Sequence, residues 1–111
     1  MNDPRNSTYV VGFNDTIEGV MAAIERNNHR SVIVIDDTGR VMGTVSDGDL
    51  RKAMLARRVM ATPIHQIMNR NCITLPKGEE HQAQAVFERD HIFLLPVVDG
   101  DGRLLDVLTA Y

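Results

Sequence analysis

The chain of 111 residues contains one pattern twice, and this repetition restricts its possible folds more than any other feature. Residues 34–46, VIDDTGRVMGTVS, align with residues 97–109, VVDGDGRLLDVLT, at an offset of 63 positions. In each copy an apolar run leads into a turn signal and a second apolar run, which is the pattern of a β-hairpin. At the same offset Arg26 aligns with Arg89. We interpret the chain as an internal duplication of one α/β unit.

A helix is expected before each hairpin. In the first copy, Asp15 with Glu18 three residues later predicts a helix N-cap, and the following apolar residues recur at helical spacing. This helix should end near Asn27. In the second copy the stretch 79–91 also has apolar residues at helical spacing, with Val86 on its apolar side. The order helix, strand, turn, strand is therefore predicted twice.

The duplication also predicts how the copies are arranged. A unit of about 55 residues buries too little surface to be stable alone, so two copies should pack their sheets together with clefts between them. We expect a flexible N-terminal arm at 1–9, a first repeat at 10–61, a connector at 62–72 and a second repeat at 73–111. The second repeat then lacks its final helix, which suggests that the chain is a fragment of something longer.

Composition excludes several classes of protein. The net charge is −3 and only five residues are aromatic, so neither a basic footprint nor a stacking platform for nucleic acid is present. Cys72 is alone, which excludes an internal disulfide and a cysteine zinc site. No apolar stretch reaches membrane-spanning length and no secretory signal is evident. We expect a cytoplasmic protein without nucleic-acid or membrane partners.

The segment VSDGDL at 45–50 ends an apolar run and opens an amphipathic helix. Ser46 and Asp49 have the spacing of a capping box, in which each side chain satisfies a backbone N–H of the other residue. The pattern alone favours capping. The same residues could also bind a ligand, because a helix N-terminus favours anions.

The segments GTVSDGDLRKAML, PIHQIMNRN and LLPVVDGDGRLLDVLT together resemble a tandem pair of cystathionine-β-synthase (CBS) domains, or Bateman module. The resemblance covers the chain from about Val10 onward, and is strongest to CBS pairs attached to sugar-phosphate nucleotidyltransferases or sugar-phosphate isomerases. It implies an α/β fold of two βαββα-type repeats with pseudo-two-fold symmetry, usually assembled as a homodimer. It also implies a non-catalytic regulatory role, with AMP, ADP or ATP as ligand and no required cofactor. The regulated catalytic domain, most simply a sugar nucleotidyltransferase, is missing from this chain.

The family motif of glycine, two small or apolar residues, a hydroxyl residue, two variable residues and aspartate matches residues 43–49 in full. The resemblance implies that Ser46 faces a phosphate and that Asp49 accepts from both ribose hydroxyls, for which one carboxylate is chemically suited. It places Arg30 near the phosphates, where it supplies a cation. The predicted ligand-binding set is Ser46, Asp49, Asp47, Thr44, Arg30 and Ser31.

The second copy departs from this motif. Asp106 stands where the motif has glycine, and Phe93 stands where the first copy has Arg30. The chain ends before the position of the motif aspartate. We predict a second site that is degenerate or is completed by residues outside this chain, with Thr74 and Thr109 as its remaining candidate residues. At most one competent site per chain is expected.

Two rival interpretations were compared with this one. The chain could be a structural module that binds nothing and dimerises a larger protein. Alternatively, the DxD triplet formed by Asp47 and Asp49 could hold a divalent metal in a small transferase, although hard cations need further oxygen ligands that the sequence does not supply. The segment 99–102, DGDG, resembles the start of a calcium loop but lacks the later acid, and is predicted to be a hairpin turn. No metal site and no catalytic residue is predicted.

Overall fold

The computed structural model describes residues 7–110, and the predicted repeat occurs in them twice. The first repeat consists of β1 (Val10–Gly12), α1 (Ile17–Asn27), β2 (Ser31–Ile35), β3 (Val41–Ser46) and α2 (Asp47–Leu55). The second repeat consists of β4 (Leu75–Pro76), α3 (Ala83–Asp90), β5 (Leu94–Val98) and β6 (Leu104–Thr109). Within the described residues no counterpart of α2 follows β6. The predicted fold class, two βαββα-type repeats with the second lacking its final helix, is confirmed.

Each repeat forms its own three-stranded sheet, in the orders β1-β2-β3 and β4-β5-β6. In both sheets the first pair of strands is parallel and the second pair is antiparallel. Ser31 lies opposite Ser46 in the first sheet, and Leu94 lies opposite Thr109 in the second. Because both pairs are related by the sequence offset, and each hairpin has a bulge at the same place, the duplication is also present in the backbone register.

The segments DDTG at 36–39 and DGDG at 99–102 form the two hairpin turns, as predicted. Asp36 Oδ1 accepts from the backbone N–H groups of Thr38 and Arg40 at 2.9 and 3.0 Å. Asp99 Oδ1 accepts from the equivalent N–H groups of the second turn at 2.9 Å each. These hydrogen bonds, with the Thr38 hydroxyl as the largest cause for Asp36, hold the pKa of both carboxyl groups below the usual value.

The two turns also pair with each other. Val41 N–H donates to the Gly102 carbonyl at 3.0 Å, and Leu104 N–H donates to the Gly39 carbonyl at 2.8 Å. Gly39 and Gly102 have φ values of 88° and 84°, a left-handed conformation that favours glycine. The two hydrogen bonds are equivalent under the repeat, so the pseudo-two-fold axis passes between the turns.

Strand β2 lies at the centre of the core, because its apolar run SVIVI is covered on both faces. Val32 and Val34 pack into the cluster beneath the helices of the first repeat. Ile33 and Ile35 pack with Leu104 of the second repeat, which joins the two sheets. A strand buried on both faces reads as a continuous apolar run rather than an alternating one. The longest described helix, α1, has 11 residues, and no helix within 7–110 is both long and apolar enough to cross a membrane.

The predicted N-cap of α1 is wrong by one residue. Thr16 is the N-cap, and its hydroxyl accepts from the N–H of Gly19 at 3.1 Å. The Asp15 carboxylate instead accepts from the N–H of Gly12 at 3.0 Å, which closes the turn after β1. The predicted end of the helix is correct, since α1 stops at Asn27.

The predicted N-terminal arm, 1–9, lies outside the described residues except for its last three positions. There the carbonyl of Thr8 accepts from the side-chain amide of Asn27 at 3.2 Å. The carbonyl of Tyr9 accepts from the N–H of Ile33 at 2.7 Å. These bonds connect the start of the described chain to α1 and β2.

Candidate functional site

The site begins at the junction of β3 and α2. Ser46 is the N-cap of α2, and its hydroxyl accepts from the N–H of Asp49 at 3.3 Å. Asp49 Oδ2 accepts in return from the N–H and the hydroxyl of Ser46, at 2.9 and 3.1 Å. The capping box is therefore formed. Both hydrogen bonds that Asp49 accepts in the capping box end on Oδ2, so its Oδ1 takes no part in the capping box.

This junction opens into a cleft of about 450 Å³, a size typical of small-molecule sites. The cleft brings together the whole ligand-binding set predicted for the first repeat: Arg30, Ser31, Thr44, Ser46, Asp47 and Asp49. Arg51, which sequence analysis did not select, follows on α2 and lines the same cleft.

Arg30 connects the start of β2 to the start of α2. Its carbonyl accepts from the N–H of Asp47 at 3.0 Å, which satisfies one of the free N–H groups of the helix. Its φ of 63° is left-handed, a conformation that costs a non-glycine residue about 1–2 kcal/mol. Arg30 therefore combines an exposed guanidinium at the cleft with an unfavourable backbone conformation.

Gly43 allows the connector to dock against β3. Thr44 and Asn69 form an isolated antiparallel bridge, with N–H to carbonyl distances of 3.1 and 2.8 Å. A Cβ atom at position 43 would lie 2.6 Å from the Asn69 carbonyl oxygen and 3.1 Å from the sulfur of Met68. Any side chain at this position would displace the connector, which gives the glycine of the motif a physical role.

The docked connector contributes residues that sequence analysis missed. Asn69, Asn71 and Cys72 line the cleft, followed by Ile73. Asn69 Oδ1 accepts from the N–H of Asn71 at 3.0 Å, which fixes the backbone between them. Burial raises the pKa of the half-buried Cys72 thiol. The polar run NRN was visible in the sequence, but only the pairing with Thr44 brings it to the cleft.

The second repeat supplies the opposite wall, with residues His91, Ile92, Phe93 and Leu94. Sequence analysis treated Phe93 only as a sign that the second site is degenerate, whereas the structure places it in the first cleft. The cleft therefore has a charged, hydroxyl-bearing wall from the first repeat and a mainly apolar wall from the second. This division suits a ligand with one ionic end and one flat apolar end.

The residues predicted for the second site are not among those that line this cleft. Thr74 is exposed, and Thr109 pairs with Leu94 in the second hairpin. At the position equivalent to Thr44, the N–H of Val107 donates to the carboxylate of Asp106 at 2.8 Å. Among residues 7–110, no three or more histidine, cysteine, aspartate or glutamate side chains are arranged to hold a metal ion.

Two repeats of this order, joined about a pseudo-two-fold axis with a cleft at the junction of β3 and α2, define a tandem CBS pair. The family model for the CBS domain matches residues 4–56. The matched residues, which include the whole first repeat, belong to the CBS domain family.

Similar proteins include arabinose 5-phosphate isomerase GutQ of Salmonella typhi, which is 30% identical over 90 residues. The match covers 80% of this chain but only 28% of that protein, so the chain spans less than a third of the curated relative.

Two solved structures show the same fold. A CBS domain protein of Pyrobaculum aerophilum, solved with AMP, has a TM-score of 0.74 and 24% identity over 90% of this chain and 78% of its own. The CBS pair of the protein MJ0100 has a TM-score of 0.71 and 24% identity over 91% of this chain and 80% of its own. It was solved with 5′-methylthioadenosine and S-adenosyl-L-methionine.

Proposed function

We propose that this chain is a non-catalytic regulatory module that binds an adenosine-type nucleotide in the cleft and modulates an attached or partner enzyme. The observation that carries the proposal is the meeting of all six predicted residues of the first repeat in one cleft of suitable size. The adenosine ligands of the two similar CBS structures support the same ligand class.

The two walls suggest how the ligand would lie. The phosphate would occupy the start of α2, where the positive end of the helix dipole and the guanidinium of Arg30 favour an anion. The Ser46 hydroxyl would turn from Asp49 to donate to it. The Asp49 oxygen that is free of the capping box would accept from the ribose hydroxyls as a charge-assisted acceptor. The base would contact the apolar wall that includes Ile92.

The conformation of Arg30 supports a role for its side chain. Glycine adopts a left-handed φ without strain, so backbone geometry alone would favour glycine at this position. Strained residues occur most often at functional sites. A cation held at the mouth of the cleft is a sufficient reason for arginine there.

The proposal is tested by calorimetric titration and thermal shift with AMP, ADP, ATP, GTP, CMP and S-adenosylmethionine. One of the adenosine ligands should bind and, at a hundredfold excess over its Kd, stabilise the wild type by about 2.7 kcal/mol. Asp49→Asn should lose most of this stabilisation, because an amide is a weaker acceptor for two hydroxyls than a carboxylate.

Thr16→Ala is the matched control, because it removes the N-cap of α1 and lies outside the residues that line the cleft. It should lower the melting temperature while leaving the ligand shift intact. If no ligand binds the wild type, the proposal is wrong.

For the regulated enzyme, the curated relative supports a sugar-phosphate isomerase. The nucleotidyltransferase expected from sequence stays a prediction. A ligand could control either enzyme only through its different affinity for two arrangements of the module.

Self-association is part of the proposal. Three apolar side chains near the end of α2 are largely exposed, with Met54 at 52%, Leu55 at 78% and Val59 at 68%. They supply apolar area suited to a homodimer interface.

A non-binding structural module is the second candidate. The capping box favours it, because capping alone accounts for the contacts of Ser46 and Asp49 in this structure. The titration separates the two, since a structural module would show loss of stability in Asp49→Asn without any ligand shift in the wild type.

A further inference from the structure

Asn71 places a polar side chain beside the apolar part of the cleft. Asn71 lines the cleft directly before Cys72 and Ile73, close in sequence to the apolar surface that would receive a base. Among residues 7–110, none forms a hydrogen bond with the side-chain amide of Asn71. Its carbonyl oxygen and amino group are therefore available to a ligand.

The backbone of Asn71 is held in place by a short series of contacts that starts in β3. The absence of a side chain at Gly43 lets Asn69 bridge to Thr44, and Asn69 Oδ1 then binds the N–H of Asn71 at 3.0 Å. In the second repeat Asp106 stands in place of this glycine, and its carboxylate accepts from the N–H of Val107 at 2.8 Å.

We propose that Asn71 determines which base the cleft accepts, by pairing both amide atoms with the polar edge of adenine. The amide oxygen would accept from the exocyclic amino group, and the amide nitrogen would donate to the neighbouring ring nitrogen. An asparagine makes such a bidentate pair with adenine in protein–DNA recognition. The inference rests on the function proposed above, since it concerns the base of a nucleotide in that cleft.

The chemistry of a single substitution gives a direct test. In Asn71→Asp a carboxylate replaces the amide, so the side chain can accept two hydrogen bonds but donate none. Adenine offers a donor beside an acceptor, whereas guanine offers two neighbouring donors at its ring N–H and exocyclic amino group. The Asn71→Asp variant should therefore bind ADP about tenfold or more weakly than the wild type does, and should bind GDP more tightly.

The experiment is calorimetric titration of ADP, GDP and CDP into wild type, Asn71→Asp, Asn71→Ala and Gln66→Glu. Gln66→Glu is the matched control, an amide-to-acid change in the same connector at an exposed residue outside the cleft lining. The inference requires Asn71→Ala to lower the affinity for ADP and Asn71→Asp to reverse the preference for ADP over GDP. Gln66→Glu should change neither the affinity nor the preference. Nucleotide binding with an unchanged base preference in both Asn71 variants would overturn this inference alone. Absence of nucleotide binding by the wild type would overturn the proposed function with it.

Discussion

Arg40 and Arg103, which occupy equivalent positions of the two repeats, form an antiparallel bridge with each other. Like charges opposite one another are unfavourable, and nearby carboxylates offset them. Arg103 forms an ion pair with Asp101 at 3.3 Å. Arg40 lies close enough to lower the pKa of Asp36 in its own repeat and of Asp99 in the other. The two repeats therefore meet at this bridge as well as through the packing of their sheets.

The lowered pKa of Asp36 leads to an acid-dependent loss of stability. In the window below the usual value of 3.8, the folded chain binds fewer protons at this carboxyl than the unfolded chain does. Its stabilising contribution is complete well above the usual value of 3.8 and is lost as the pH falls through the lowered pKa of the folded chain. Melting temperatures between pH 2.5 and 7 should show this loss, and Asp36→Asn should reduce it. Asp37→Asn, which removes the exposed neighbouring carboxylate, is the control for the loss of one charge in the same turn. A wild-type slope in Asp36→Asn would contradict the assignment.

Arg30→Gly should separate binding from folding. Glycine relieves the left-handed strain of about 1–2 kcal/mol but loses more chain entropy on folding, so the melting temperature should stay the same or rise by the equivalent of about 1 kcal/mol. Loss of the guanidinium should weaken nucleotide binding about tenfold, as removal of a charged hydrogen bond does. Arg57→Gly is the matched control, because Arg57 has a φ of 62° and lies outside the cleft lining. Equal affinities in the two variants would remove Arg30 from the proposed site.

Gly43→Ala should destabilise the protein by displacing the connector. The added Cβ atom would lie 2.6 Å from the Asn69 carbonyl oxygen, and overpacking of this kind typically costs about 1–3 kcal/mol. Gly12→Ala, where no atom lies within 4 Å of the added Cβ, should be neutral or slightly stabilising. Urea denaturation measures both. Equal unfolding free energies for Gly43→Ala and wild type would show that the connector does not need this close approach.

Leu55→Glu should weaken self-association. The Leu55 side chain is 78% exposed in the described chain, so a glutamate there should leave the fold intact and place a charge in the proposed interface. Sedimentation velocity over a range of protein concentrations should show a shift toward monomer. Leu105→Glu, at a 38% exposed leucine of β6, tests whether any added charge has the same effect. A homodimer unaffected by Leu55→Glu would place its interface elsewhere.

The sequence was sufficient for the features that depend on local pattern. The hairpins, their turns, the α2 capping box and the end of α1 follow from residue types at short spacing. The one-residue error at Asp15 has a local cause, because aspartate and threonine are both good N-caps. The Asp15 carboxylate accepts from the N–H of Gly12, and Thr16 caps the helix. The repeated register also followed from the sequence alignment.

The missed parts of the cleft depend on contacts between distant residues. Asn69 reaches β3 only because the connector folds back on the strand, and no periodicity in PIHQIMNRN indicates that pairing. Phe93 was compared with Arg30 as an equivalent position, but the pseudo-two-fold axis brings the two residues to the same cleft. Equivalence in sequence gave no indication of this proximity in space.

Val41 donates to the Gly102 carbonyl and Leu104 to the Gly39 carbonyl, and this reciprocal pairing has a consequence for a half-length chain. Each hairpin turn contributes one donor and one acceptor in equivalent positions, so the edge that one repeat presents is complementary to a copy of itself. A polypeptide that carried only the first hairpin and its helices would therefore hold the contacts needed for an isologous pair. The two repeats of this chain hold the places of the two subunits in such a pair, and Gly43 makes the first repeat differ from the second, where Asp106 stands.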